Sequence, residues 1–210
     1  MHRSSQRFPP SFPPSASTPS PPTSPTAPPS NASWTSPSLS RATSTSSSTT
    51  PASSNAPPAF DHTDADWDAV LADNLNGVFV ACRAAGKPRV ARSSGKIINI
   101  ASLLPFFDSV TIPGYAASKG GVGQLTQALS HEWAAHGVPV NAVASGHLRT
   151  DNTAALQADP ARSLEILLRS PAHRWGAPSD LEGAVVFLVS PASDYLSGPI
   201  IAVDGGWCGR

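Results

Sequence analysis

For its first seventy-six residues this chain has no glycine; the first is Gly77. A loop that presses its backbone N–H groups against a phosphate needs glycine, because a Cβ blocks the approach. No such loop can lie ahead of Gly77. Residues 1–58 lack much else: they contain no Val, Ile, Asp, Glu, Lys, Cys or Tyr. Instead 18 Ser, 14 Pro, 8 Thr and 6 Ala make up most of the segment. So few bulky apolar side chains bury too little surface to offset the entropy of ordering the backbone. Residues 1–58 are therefore expected to be a disordered, low-complexity segment. Ser, Pro, Thr and Ala are also encoded almost entirely by codons with C in the middle position. GC-rich DNA read out of frame gives this composition, so an out-of-frame or mis-started N-terminus is a further expectation. Translating the encoding DNA in its other two frames tests it.

Other shortages exclude classes of function. With 14 Lys and Arg against 14 Asp and Glu, the net charge is zero, and no broad basic field points to nucleic acid. Cys82 and Cys208 fall in no metal or redox spacing, and the six His form no ligand pair. They read as reduced thiols of a cytoplasmic protein without a metal site. No apolar run reaches membrane-spanning length, and no signal-peptide core follows Met1.

What is present lies in residues 59–210. "HTDADWDAVLADNLNGVFVACRAAGK" has Thr63 as a helix N-cap with acids in the first turn. Trp67, Val70, Leu71, Leu75, Val78 and Phe79 recur at helical spacing, and Gly86 and Pro88 are expected to end the helix. "GKIINIAS" (95–102) reads as a buried strand, "LLPFFDSVTIPG" as a loop, and 114–136 as a helix closed by Gly137. Val122, Leu125, Leu129 and Trp133 form its apolar stripe. "VPVNAVA" (138–144) is a second strand. A loop and helix follow, then a helix opening near Pro178, then a last strand in "GPIIAVDGG". Strands alternating with helices imply an α/β fold with a parallel sheet. Three strands are legible, fewer than a complete doubly wound sheet. One edge of the "KIINIAS" strand is expected to lie uncovered, with a tendency to aggregate.

The chemistry gathers around "PGYAASKGGVGQL" (113–125). Residues i and i+4 share a helix face, so Tyr115 and Lys119 are neighbours. A phenol titrates near pH ~10, and an adjacent ammonium is expected to lower that value. Such a phenol can exchange a proton with an alcohol or ketone. Ser102 ends the aliphatic strand, and residues past the carboxyl ends of parallel strands face the ligand crevice. Asn74 is a polar residue inside an otherwise apolar helix.

Asn74, Ser102, Tyr115 and Lys119 resemble, in order and spacing, the catalytic tetrad of the short-chain dehydrogenase/reductase family. "VNAVASGHLRT" (140–150) is similar to the family's segment after its sixth strand, and "DLEGAVVFLVSPASDYLSGPIIAVDGGW" to its last helix and strand. The resemblance covers about residues 58–210 and implies a partial Rossmann-type sheet binding NAD or NADP, with NAD slightly favoured. It implies Tyr115 as acid/base, Lys119 on the nicotinamide ribose, Ser102 on the substrate oxygen and Asn74 in a water relay. Gly146, Leu148 and Thr150 would contact the nicotinamide end. "NTAALQADPARSLEILLRSPAHRWGAPSDL" most resembles the branch acting at C3 of deoxy-sugar acids, with His147, Arg174 and Trp175 as substrate contacts; for Arg174 a structural ion pair competes with that role. A homo-oligomer, dimer or tetramer, is implied as well. Two departures stand out: Ser145 replaces the family's proline before Gly146, and the glycine-rich turn for the adenosine half is absent. The alternative is a non-catalytic fragment that serves in oligomerisation or interaction.

Overall fold

The structure is a computed structural model that describes residues 42–45, 58–103 and 112–209. The expected loop at 103–114 falls mostly outside the described residues, as does most of the 1–58 segment. Four strands form one parallel sheet in the order β1–β2–β3–β4: β1 Ala42–Thr45, β2 Lys96–Ser102, β3 Val140–Ser145 and β4 Ile200–Val203. The last three are the strands expected. β1 was not, because "ATST" carries no aliphatic signal; its backbone pairs with the open side of β2, Ala42 opposite Lys96 and Thr45 opposite Asn99. That side of β2 is therefore paired along four residues rather than bare.

Helices cover both faces of the sheet. α1 (Asp64–Leu71) starts at Thr63, whose hydroxyl accepts from the Asp66 N–H while the Asp66 carboxylate accepts from the Thr63 N–H. A five-residue π-helical turn (Ala72–Asn76) joins it to α2 (Gly77–Ala91). α2 does not stop at Gly86 or Pro88 as expected. Gly86 is kept for close packing: a Cβ there would lie 2.5 Å from the Trp133 ring. Pro88 lies in the last turn of α2, where it has no N–H to give the carbonyl four residues back, and the helix continues only to Ala91. α3 (Pro113–Trp133) follows β2 and ends beyond a short 3₁₀ turn at Gly137, left-handed at φ 69°.

Strand alternation sorts the core. Ile97, Ala101, Val140, Ala142 and Ala144 face Val78, Cys82, Val122, Leu129 and Trp133 of α2 and α3. Ile98, Val143 and Ile201 face Leu188, Val185 and Val189 of α6 (Glu182–Val189). Between β3 and α6 the chain forms α4 (Ala154–Ala158) and α5 (Pro160–Arg169). Leu156, Ile166, Trp175 and Trp207 make a separate small core beneath them. Trp67 and Phe79, assigned to the apolar stripe of the first helix, are each 40% exposed.

Candidate active site

Parallel pairing sets the ends of β2 and β3 level: Ser102 is opposite Ser145, and Ser145 opposite Val203. This row is the carboxyl edge of the sheet, where the helices that follow each strand begin. α3 starts there with Pro113 in its first turn, which brings Tyr115 to the edge. Ser102 hydrogen-bonds the Tyr115 phenol. Lys119 is buried one turn on, its Nζ donating to the Ile100 carbonyl at 3.2 Å and lying 5.8 Å from the centre of the Tyr115 ring.

The electrostatics differ from the expectation in one respect. Burial raises the Tyr115 phenol above its ordinary value, and the Ser102 hydrogen bond pulls only partly the other way. Burial also lowers Lys119, because charge is costly away from water. An ammonium so placed does not overcome the desolvation of the phenol, so the expected lowering by Lys119 is not what this arrangement produces.

Asn74 lies in the π-helical turn. α2 runs back toward the start of β2, so this turn sits at the carboxyl edge. Gly121 of α3 allows close approach here; a Cβ on it would be 2.9 Å from Leu75. Asn74 is fully buried, and neither its Oδ1 nor its Nδ2 has a hydrogen-bond partner among the described residues. A buried amide left unmade costs about 1–3 kcal/mol, and π-turns gather at functional sites. Ser102, Tyr115, Lys119 and Asn74 thus come from three separate elements to one end of the sheet.

The segment after β3 forms the neighbouring wall. Gly146 has no room for a side chain, since a Cβ would sit 2.8 Å from the Asp204 Cα. Leu148 pairs with Gly176, and its carbonyl accepts from the Thr153 hydroxyl at 2.6 Å. Thr150 caps the short turn that follows, its N–H donating to Thr153 Oγ1 at 3.1 Å. Ser145, standing where a proline was anticipated, continues β3 to the level of Ser102.

The three proposed substrate contacts part company. Trp175 is a core residue, 5% exposed, with its indole N–H on Ser163 Oγ at 3.0 Å. Arg174 forms a two-pronged pair with Asp180, at 2.7 and 3.0 Å, that holds Asp180 down to about 2. His147 lines a cavity of about 200 Å³ with Arg174, Asp204 and Trp207. Its Nδ1 is buried with no hydrogen-bond partner among the described residues, and burial is the main reason its pKa falls to about 4.

Sequence reasoning missed two supports. Asn99 links Cys82 (Sγ–Oδ1 3.2 Å) to Thr126 (Nδ2–Oγ1 2.9 Å) beneath the site. A lone Asn within "KIINIAS" was the available signal. Asp204 accepts the N–H groups of Gly206 at 2.9 Å and Cys208 at 2.8 Å, which makes Asp-Gly-Gly a structural turn. The described residues contain no cluster of His, Cys, Asp or Glu suited to a metal, and no described helix is long and apolar enough to cross a membrane.

The residues present suit the two ends of a nicotinamide dinucleotide unequally. The unpartnered Asn74 amide, buried Lys119 and close-packed Gly146 fit a nicotinamide–ribose end. For a pyrophosphate turn no glycine precedes Gly77, which is itself helical.

A parallel sheet wrapped by helices, with its polar cluster at the carboxyl edge, is the layout of a Rossmann-type enzyme. The family profile described as enoyl-(acyl carrier protein) reductase matches residues 47–208, and the chain belongs to the short-chain dehydrogenase/reductase family of oxidoreductases. It is 56% identical over 153 residues to a 2-dehydro-3-deoxy-D-gluconate 5-dehydrogenase of Pseudoalteromonas atlantica, covering 73% of this chain and 60% of that protein. A protein of the same name from Escherichia coli is 51% identical over 153 residues, covering 72% and 60%. Among solved structures, a gluconate 5-dehydrogenase from Burkholderia cenocepacia in complex with NADP and tartrate is similar at 39% identity and a TM-score of 0.72, covering 74% of this chain and 61% of that one. The chain spans about 60% of the length of the curated relatives it matches.

Proposed function

We propose that this chain carries the proton-transfer half of an NAD(P)-dependent oxidoreductase that interconverts a secondary hydroxyl and a ketone on a sugar acid. The observation that carries the reading is the Ser102–Tyr115 hydrogen bond, with Lys119 buried behind it. Tyr115 is the acid/base. Its raised pKa keeps the phenol protonated at neutral pH, the form that donates to a ketone oxygen as that oxygen gains charge. Ser102 shares the same oxygen and orients it. Lys119 returns a proton toward the phenol, and the Asn74 amide takes the water that links Lys119 to solvent. The nicotinamide ring, when bound, supplies or accepts the hydride. Tyr115, Lys119, Gly146, Leu148 and Thr150 would hold that end of the cofactor.

The relatives' names support a deoxy-keto sugar acid and chemistry at C5, rather than the C3 expected from the sequence. NADP in the Burkholderia structure supports a nicotinamide dinucleotide without choosing between the phosphorylated and unphosphorylated forms. Exposed Phe79 and Val80 on α2, and Val186 and Phe187 on α6, support a homo-oligomer. Tyr115→Phe tests the central role. Turnover of a 5-keto sugar acid with NADH or NADPH should fall about 10²–10⁴-fold while the fold persists; a variant retaining more than a tenth of the rate rules out Tyr115 as the acid/base.

A further inference from the structure

We infer that the cavity lined by His147, Asp180 and Asp204 takes the hydroxymethyl end of the sugar acid, with His147 donating a hydrogen bond to the terminal hydroxyl and the substrate carboxylate pointing away. The inference rests on the sugar-acid reading above, with chemistry at C5, and adds to it an orientation and a specificity-determining residue.

Charge decides which end enters. The charged groups of the lining are Asp180, Asp204 and Arg174, one negative charge in excess. Arg174 is already held in its two-pronged pair with Asp180. His147 adds no charge, because burial first, and then Arg162 and Arg169, keep its ring neutral. Those two arginines lie outside the lining, Arg162 paired with Glu165 and Arg169 stacked on Trp207. A substrate carboxylate here would meet like charge with no cation of the lining left to receive it, and apolar walls enlarge such a repulsion. A hydroxyl carries no charge, and its proton meets carboxylates that can only accept.

Ring geometry gives His147 its part. It stands edge-on to Trp175 at 5.8 Å and tilted against Trp207 at 4.6 Å, two buried indoles that fix its plane. Nδ1 is buried with no hydrogen-bond partner among the described residues. Burial tolerates a bare acceptor better than an unpaired N–H, so the ring proton belongs on Nε2, the nitrogen left to meet a ligand. Nε2–H is a donor matched to a hydroxyl oxygen. Position agrees. His147 lies two residues beyond Ser145, which is level with Ser102 on the next strand. In an acid oxidised at C5, the hydroxymethyl carbon stands about 1.5 Å from the reacting carbon, whereas the carboxyl carbon, four bonds away, stands about 5 Å from it. The cavity beside Ser102 therefore adjoins the short, uncharged end.

The test is titration calorimetry on the full chain with D-gluconate and 6-deoxy-D-gluconate, which lacks only the terminal hydroxyl. Gluconate should bind about fivefold or more tightly. His147→Phe, which keeps an aromatic ring against Trp175 and Trp207, should remove that preference. Lys87→Ala, on the exposed side of α2, should keep it. D-Glucitol, the uncharged polyol, reports on the other end: the ratio of gluconate to glucitol affinity should be the same with and without His147→Phe. Equal binding of the two acids, binding of neither, or a preference that survives His147→Phe overturns the proposal. A gluconate-to-glucitol ratio that His147→Phe changes also overturns it, by putting the carboxylate in this cavity. If His147→Phe fails to fold by circular dichroism, His147→Gln is the second arm. It should weaken the preference for gluconate over the 6-deoxy acid, and an unchanged one overturns the proposal. The dehydrogenase reading fails separately. A chain that prefers gluconate over its 6-deoxy form but moves no hydride refutes only that reading, while normal turnover with no such preference refutes only the hydroxymethyl subsite.

Discussion

At the amino edge of the sheet, Lys96 Nζ reaches the Ser190 carbonyl at 2.6 Å, Ser193 Oγ at 2.7 Å and Asp194 at 2.7 Å. At the carboxyl edge, Asn74 has both amide atoms buried and neither bonded among the described residues. The amino edge also holds the larger hollow, about 480 Å³ against about 200 Å³. Spare atoms do occur near it, but in groups otherwise satisfied: Asn141 leaves Oδ1 unused while its Nδ2 binds the Leu196 carbonyl. Hollow size therefore misleads here. A charge with all its partners supplied is an anchor, whereas an amide with none is kept at a cost that packing alone does not repay.

Three perturbations bear on that contrast. The largest expected effect is from pH at His147. Its folded pKa of about 4 lies below the unfolded value of 6.5, so the neutral ring stabilises the fold fully above pH 6.5. As pH falls from 6.5 to about 4, the unfolded chain takes up a proton that the folded chain refuses, and stability drops by roughly 2–3 kcal/mol. Urea unfolding across that window measures it, and His147→Phe should flatten the slope by about one proton.

Lys96→Met addresses the anchored edge. It should cost about 2 kcal/mol by removing hydrogen bonds to a charged group, and should leave turnover unchanged. A loss of turnover along with stability would mean that the two edges are coupled.

The smallest effect carries the most information. Asn74→Ala removes an unsatisfied buried amide and adds helix propensity, so it should raise stability by about 1 kcal/mol. Turnover should fall all the same. A variant that is less stable would show that the amide is satisfied in solution and belongs to the scaffold.

Much of the fold was legible because its signals are local. "KIINIAS" and "VPVNAVA" are short aliphatic runs bounded by Gly, and Thr63 and Gly137 mark helix ends by their own backbone chemistry. Gly86 and Pro88 misread as stops because the reason for each lies elsewhere. Trp133, forty-seven residues away, needs the space at Gly86, and α2 carries Pro88 in its last turn at the loss of one backbone hydrogen bond. β1 escaped notice since "ATST" pairs through backbone groups, which no side-chain pattern reports.

The sequence alone determined the helix–strand alternation, the Tyr115–Lys119 spacing and the lack of any glycine before Gly77, all properties of neighbours along the chain. The tertiary structure decided whatever depends on distance and dielectric. It set Ser102 on Tyr115, turned the expected lowering of the phenol into a rise by burial, and gave Arg174 to Asp180. It also sank Trp175 into a core and stacked Arg169 on Trp207 beside His147. A titration value or a binding role is set by what surrounds a group in space, and those surroundings come from strands and helices far apart in the chain.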